Sequence, residues 1–100
     1  MTITMTDPRY LKTDTCLRRA AGVDFPDAAA QWEVWHCEGP TFEHSYDRAV
    51  TLYVDQGVAS IAFSTGQVVD LQRGDLLTIE VGAKAVWTIR QSIRNLYRYH

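Results

Sequence analysis

Residues 49–90 read AVTLYVDQGVASIAFSTGQVVDLQRGDLLTIEVGAKAVWTIR, five short runs of β-branched, aromatic and aliphatic residues split by glycine-bearing gaps. The runs are AVTLYV (49–54), VASIAFS (58–64), QVVDL (67–71), LLTIEV (76–81) and AVWTIR (85–90). Such residues suit a pleated, half-buried surface. Gly57, Gly66 and Gly74 fall eight or nine residues apart, and Gly82 follows. Glycine tolerates the positive φ of tight turns, so the spacing predicts a hairpin at each of the first three. Working outward, QWEVWHC (31–37) stops at Gly39-Pro40, TFEHSY (41–46) follows, and SIRNLYRYH (92–100) closes the chain. Eight short strands over residues 31–100, in one domain, predict an all-β fold of barrel or jelly-roll type.

Residues 1–30 have a different texture. They hold Pro8, Pro26, the pair Arg18-Arg19 and the run Ala28-Ala29-Ala30, with no sustained period. The expectation there is an N-terminal arm with one short strand, packed as an added edge. A chain of 100 residues, 46% apolar and 22% charged, has room for one modest core and no second domain. The formal charge of −2 and pI near 5.8 weigh against a nucleic-acid-binding surface. The opening MTITMTDPRY has no basic-then-apolar leader pattern, and no apolar run is long enough to span a bilayer. Cys16 and Cys37 are too few for a disulfide scaffold and too far apart for a CxxC site. A reduced, cytoplasmic protein is the expectation.

Alternation assigns faces. Val50, Leu52 and Val54 share one side of their strand, with Ala49, Thr51 and Tyr53 on the other. Ala85, Trp87 and Ile89 oppose Val86, Thr88 and Arg90. Arg90, Arg94 and Arg98 share a parity beside Ser92 and Leu96, which reads first as a solvated strand face and second as an anion or partner site. Glu33, Glu38 and Glu43 read as solvent-facing. Asp75 after Gly74 reads as a turn cap. His36 and Cys37 are adjacent on a strand and so point to opposite faces, which argues against a Cys–His nucleophile and for an inert thiol.

The stretches PTFEHSYDRAVTLYVDQG (40–57) and GDLLTIEVGAKAVW (74–87) resemble the two motifs of the cupin superfamily. In the first, G-x5-H-x-H-x3,4-E-x6-G, the two His, the Glu and the closing Gly correspond to His44, Tyr46, Val50 and Gly57. The opening Gly39 lies one residue too close. In the second, G-x5-P-x-G-x2-H-x3-N, the places are taken by Gly74, Glu80, Gly82, Ala85 and Ile89. A narrower likeness rests on Trp35, Cys37, Pro40, Phe42, Tyr46, Gly57, Gly74, Asp75, Gly82, Trp87, Arg94 and Tyr97. It is to the compact cupin domains named for ureidoglycine aminohydrolase and shared with ethanolamine-utilisation cupins. The resemblance implies a cupin-type jelly-roll β-barrel over residues 31–100.

The departures from that pattern concern chemistry. A cupin metal centre needs three imidazoles and a carboxylate, and imidazole is the ligand suited to Fe, Zn, Ni and Cu. Here only His44 keeps such a side chain, while Tyr46, Val50 and Ala85 stand at the other three places. No metal and no other cofactor is expected, and the loss of three ligands weighs against an enzyme. With cupin orientation kept, His44, Tyr46, Val50, Ala85 and Trp87 line an apolar barrel interior. A small organic molecule, neutral or weakly anionic because no carboxylate points inward, is the expected ligand. Two alternatives stand beside it. One is a small aminohydrolase- or isomerase-like enzyme with His44 as general base and Tyr46 as acid. The other is a protein-interaction module. For His44 itself a satisfied core histidine competes with ligand contact, and for Trp35 and Trp87 core filling competes with stacking. A homodimer is the expected assembly, since a second copy would cover open sheet edges and the arm could be exchanged.

Overall fold

In a computed structural model describing residues 7–22, 25 and 29–100, the chain forms eight antiparallel strands. They are β1 (Leu11–Lys12), β2 (Cys16–Ala20), β3 (Glu33–Cys37), β4 (Thr41–Ser45), β5 (Val50–Phe63), β6 (Val68–Gln72), β7 (Asp75–Ile79) and β8 (Lys84–Tyr99). Two strands are long, and they organise the rest. The first half of β5 pairs with the second half of β8, Val50 opposite Tyr99 and Val54 opposite Asn95. The second half of β5 pairs with the first half of β8, Ala59 opposite Ile89 and Phe63 opposite Ala85. One end of this central pair carries β7, β2 and β1 on one side and β3 on the other; the other end carries β6 and β4. The whole is the jelly-roll cupin fold, all of whose described strand pairings are antiparallel.

The inward residues are those that alternation selects. Val50, Leu52, Val54, Ile61, Leu71, Leu77, Ile79, Trp87 and Ile93 form the main core. Their removal from water is the main favourable term for a domain this small. Val86, Thr88 and Arg90 stay outside, as the same parity requires.

Three features differ from the sequence reading. Gly57 is not a hairpin turn: β5 runs straight through it, so two predicted strands are one. Its φ is +100°, and the ladder to β8 shifts register on both sides of it, between Val54 and Gln56 and between Gln56 and Val58. The glycine serves a bulge and a close approach of backbones, not a reversal. The runs at 85–90 and 92–100 likewise merge, into β8. Gly66 and Gly74 do lie in the loops between β5 and β6 and between β6 and β7.

The second difference is in the first thirty residues, where two strands form rather than one. β2 lies along β7 of its own chain, from Cys16 opposite Ile79 to Ala20 opposite Asp75, and β1 pairs with β2. The run Ala28-Ala29-Ala30 lies partly outside the described residues. The third is Tyr53, on the outward parity of β5 yet only 6% exposed. It packs with Leu76, Leu96 and Ala29 in a second, outer cluster. Phe25 covers it at a centroid distance of 5.5 Å, with Trp32 edge-on to Phe25 at 5.4 Å. Among the described residues no helix is long and apolar enough to cross a membrane.

Candidate functional site

Four strands converge on one cavity. Along β4 alternation turns Phe42 and His44 inward and leaves Thr41, Glu43 and Ser45 exposed. Tyr46, just past the strand, is held by its backbone: its N–H donates to the Ala83 carbonyl at 2.8 Å and its carbonyl accepts from the Gly82 N–H at 2.6 Å. β8 brings Trp87 beneath it, and β3 brings Trp35 alongside.

These side chains close a circuit of aromatic contacts. Trp35 meets Phe42 at 5.1 Å and Trp87 at 5.3 Å between centroids. The Trp87 indole Nε1–H donates to the Tyr46 hydroxyl at 3.1 Å. Tyr46 meets His44 edge-on at 4.5 Å, and the imidazole stacks on Phe42 at 5.8 Å. Edge-on and offset contacts are those the ring quadrupoles favour. With Val50 and Leu52 of β5 and with Asn95, Tyr97 and Tyr99 of β8, the circuit lines a cavity of about 100 Å³ that is open on one side.

The structure therefore brings His44, Tyr46, Val50 and Trp87 to one wall system. Ala85 is not part of it. That residue is buried in register between His44 of β4 and Phe63 of β5, and it lines a second depression, which His44 also borders, with Lys84 and Val86. Ala85 shares the buried core with Tyr46, Val50 and Trp87 without lining this cavity. A long β8 carries Trp87 toward the cavity and Ala85 toward the far end of the sheet.

Asn95 is the residue that the sequence reading missed. It is 1% exposed, lines the cavity, and its Oδ1 has no hydrogen-bond partner among the described residues. Leaving such an oxygen unsatisfied costs about 1–3 kcal/mol. A signal existed. If Arg90, Arg94 and Arg98 face outward, then Ile93, Asn95, Tyr97 and Tyr99 face inward, and an amide among them stands out. The arginines are exposed and tied to their own neighbours: Arg94 to the Asp55 carboxylate at 3.2 Å, and Arg90 Nε–H to Ser60 Oγ at 3.3 Å. That is the solvated strand face.

The electrostatics follow from burial. Among the described residues the cavity wall holds no carboxylate, ammonium or guanidinium, and His44 is its one imidazole. Burial pushes the Tyr46 phenol up to about 12, with the Trp87 hydrogen bond acting the other way. A phenol that holds its proton so firmly is poorly matched to general acid work near neutrality. Tyr46 is also engaged by Trp87 through its hydroxyl, while its contact with His44 is a ring edge.

Because the folded-state value lies above the ordinary 10.0, the neutral phenol stabilises the fold below pH 10, and this is lost as pH rises through 12. A shift from 10.0 to about 12 corresponds to about 3 kcal/mol. Denaturant unfolding from pH 9 to pH 12 should show the chain losing about 2 kcal/mol more stability than Tyr46→Phe loses, the remainder going above pH 12. Parallel curves for the two proteins would show that this phenol is not protected by burial.

A metal of the cupin type does not fit these residues. One imidazole, one phenol, a valine and an alanine stand at the four ligand places, and Ala85 is outside the cavity. No group of three His, Cys, Asp or Glu that could hold a metal gathers among the described residues. Cys16 is buried and its thiol is pushed up by burial, while Cys37 is half-buried and packs against the core, its neighbour His36 facing outward.

The fold has solved counterparts. A DUF861 family protein from Thermotoga maritima superposes with a TM-score of 0.78 at 21% identity, over 83% of this chain and 97% of that one. The EutQ protein of Clostridium difficile gives 0.62 at 17% identity, over 98% and 80%. A putative ethanolamine utilization protein Q from Salmonella typhimurium gives 0.60 at 14%, over 86% of this chain and 58% of that longer protein. At such identities the likeness is one of fold. None of the curated proteins matches the sequence. The family model of the EutQ-like cupin domain matches residues 25–97, which include all of β5, β8 as far as Tyr97 and every wall of the cavity except Tyr99. A jelly roll whose sequence carries that profile over nearly three quarters of its length belongs to the EutQ-like cupin domain family.

Proposed function

We propose that this domain binds a small organic molecule, neutral or weakly anionic, in the aromatic-walled cavity and without a metal. The observation that carries the reading is a cavity of about 100 Å³, apolar on most of its wall, with a few polar groups converging on it. Sites for small molecules have that composition. At about 100 Å³ it is smaller than the closed cavity of roughly 150 Å³ that takes up benzene, but it is open to solvent on one side, so a ring can enter it in part. His44 offers an imidazole, and the Tyr46 hydroxyl, already accepting from Trp87, has its own proton to donate. The lack of charge on the wall disfavours a strongly charged guest, whose desolvation would go uncompensated.

The enzymatic alternative with His44 as base and Tyr46 as acid is the weaker reading, because the phenol is held near 12 and is bonded to Trp87. The test is a thermal-shift fragment screen followed by titration calorimetry on the chain and two variants. Loss of one buried polar contact costs about 1–3 kcal/mol, so His44→Ala and Tyr46→Phe should each weaken a hit by roughly five- to a hundredfold. Unchanged affinity in both variants places the ligand elsewhere. Binding abolished by chelation would show a metal at work.

A further inference from the structure

We infer that the ligand of this cavity carries a neutral N–H or O–H donor on a flat, ring-sized body, and that Asn95 Oδ1 is the acceptor it satisfies. This rests on the cavity being the binding site. Asn95 sits on β8 opposite Trp35 of β3 and Val54 of β5, in the middle of the sheet. Both of those neighbours are apolar, and Ile93, of the same inward parity, is fully buried in the main core. An amide at such a place, 99% removed from solvent and with its oxygen unpartnered, is the polar atom the fold leaves unserved. The general rule is that buried polar groups are paired, and an exception calls for a partner.

The surrounding wall limits what that partner is. Trp35, Phe42 and Trp87 pack against one another and give the space an aromatic wall, against which a planar guest can lie. No carboxylate of the described residues lines the space, so a donor bearing a full positive charge would enter without a counter-ion. A neutral hydroxyl or ring N–H meets the Asn95 oxygen without that cost. Phenol is the simplest molecule with these properties, and fluorobenzene is its close isostere without a donor.

The test is titration of the full chain with phenol, with fluorobenzene and with tetramethylammonium, followed by protein-detected NMR. The expected result is that phenol binds about tenfold more tightly than fluorobenzene, with shifts at Trp35, Trp87 and Asn95. In Asn95→Leu, of similar size, the preference should vanish while fluorobenzene still binds. The comparison of the two probes on the unaltered chain decides the matter even if the variant does not fold. Equal binding of phenol and fluorobenzene at these shifts overturns the donor assignment and leaves the cavity as a binding site. Tetramethylammonium binding more tightly than phenol overturns it in favour of a cation. No binding by any probe overturns the cavity reading and this inference together.

Discussion

Gly57→Ala will yield little folded protein, with a loss of more than about 4 kcal/mol, the range reached only when a specific structural feature is destroyed. A methyl group at this position would sit against the Ser92 carbonyl oxygen and 2.7 Å from the Ile93 Cα. Those are backbone atoms of β8, so no side-chain rotation relieves the clash. The residue also holds φ at +100°, where an L side chain is strained even with space around it. The two faults compound, because β5 and β8 form the central pair and the bulge at Gly57 sets the register on both sides. Gly66→Ala is the matched control. It has a similar φ of +94° but no neighbour within 4 Å of an added methyl, so it should cost only about 1 kcal/mol. Circular dichroism and urea unfolding of the two variants check this. Similar midpoints for both would mean that β8 can retreat from Gly57.

Asp75→Ala is expected to cost about 3 kcal/mol and to loosen residues 7–20. The Asp75 carboxylate is 1% exposed and takes three bonds. Arg9 donates to it through Nε at 2.9 Å and Nη2 at 2.6 Å, a two-point clasp. The Gln72 backbone N–H adds a third at 2.9 Å, closing the turn between β6 and β7. Removing the carboxylate leaves the Arg9 guanidinium, itself 23% exposed, without its counter-charge and the turn without its cap. Since Ala20 pairs with Asp75 at the end of the β2–β7 ladder, fraying should begin there. Amide hydrogen exchange over Leu11–Ala20 and limited proteolysis of the arm report it. Arg9→Met should reproduce much of the loss, and the double variant should cost less than the sum. Additive losses would mean that the two residues act separately.

Asp75 shows how far local pattern reaches. A carboxylate after Gly74 reads as a turn cap, and the bond to Gln72 is that cap. Its partner Arg9 lies sixty-six residues away, with nothing in the intervening sequence to announce it. The loops at Gly66, Gly74 and Gly82 and the inward parity of Val50, Leu52, Val54, Trp87 and Ile89 were all legible, because a strand's two-residue period and a tight turn's φ are local properties. The fold class followed from them together with the resemblance over residues 40–87.

Gly57, Tyr53 and Asn95 mark the other side of the line. Whether a glycine in an extended run reverses the chain or eases a bulge depends on the strand beside it, and for Gly57 that strand is β8, thirty-five residues on. Tyr53 keeps the outward parity that alternation assigns, yet Phe25 from the arm covers it. The cavity is the same case on a larger scale: Trp35 of β3, the run Phe42, His44 and Tyr46, and Trp87 and Asn95 of β8 come from three stretches of chain, and long-range pairing alone brings Trp35 within about 5 Å of both Phe42 and Trp87 and leaves one amide oxygen unserved among the described residues. Periodicity along one strand determined which way each side chain points. Which of them meet was decided by the register between strands distant in the chain, a property of the assembled sheet and of no single segment.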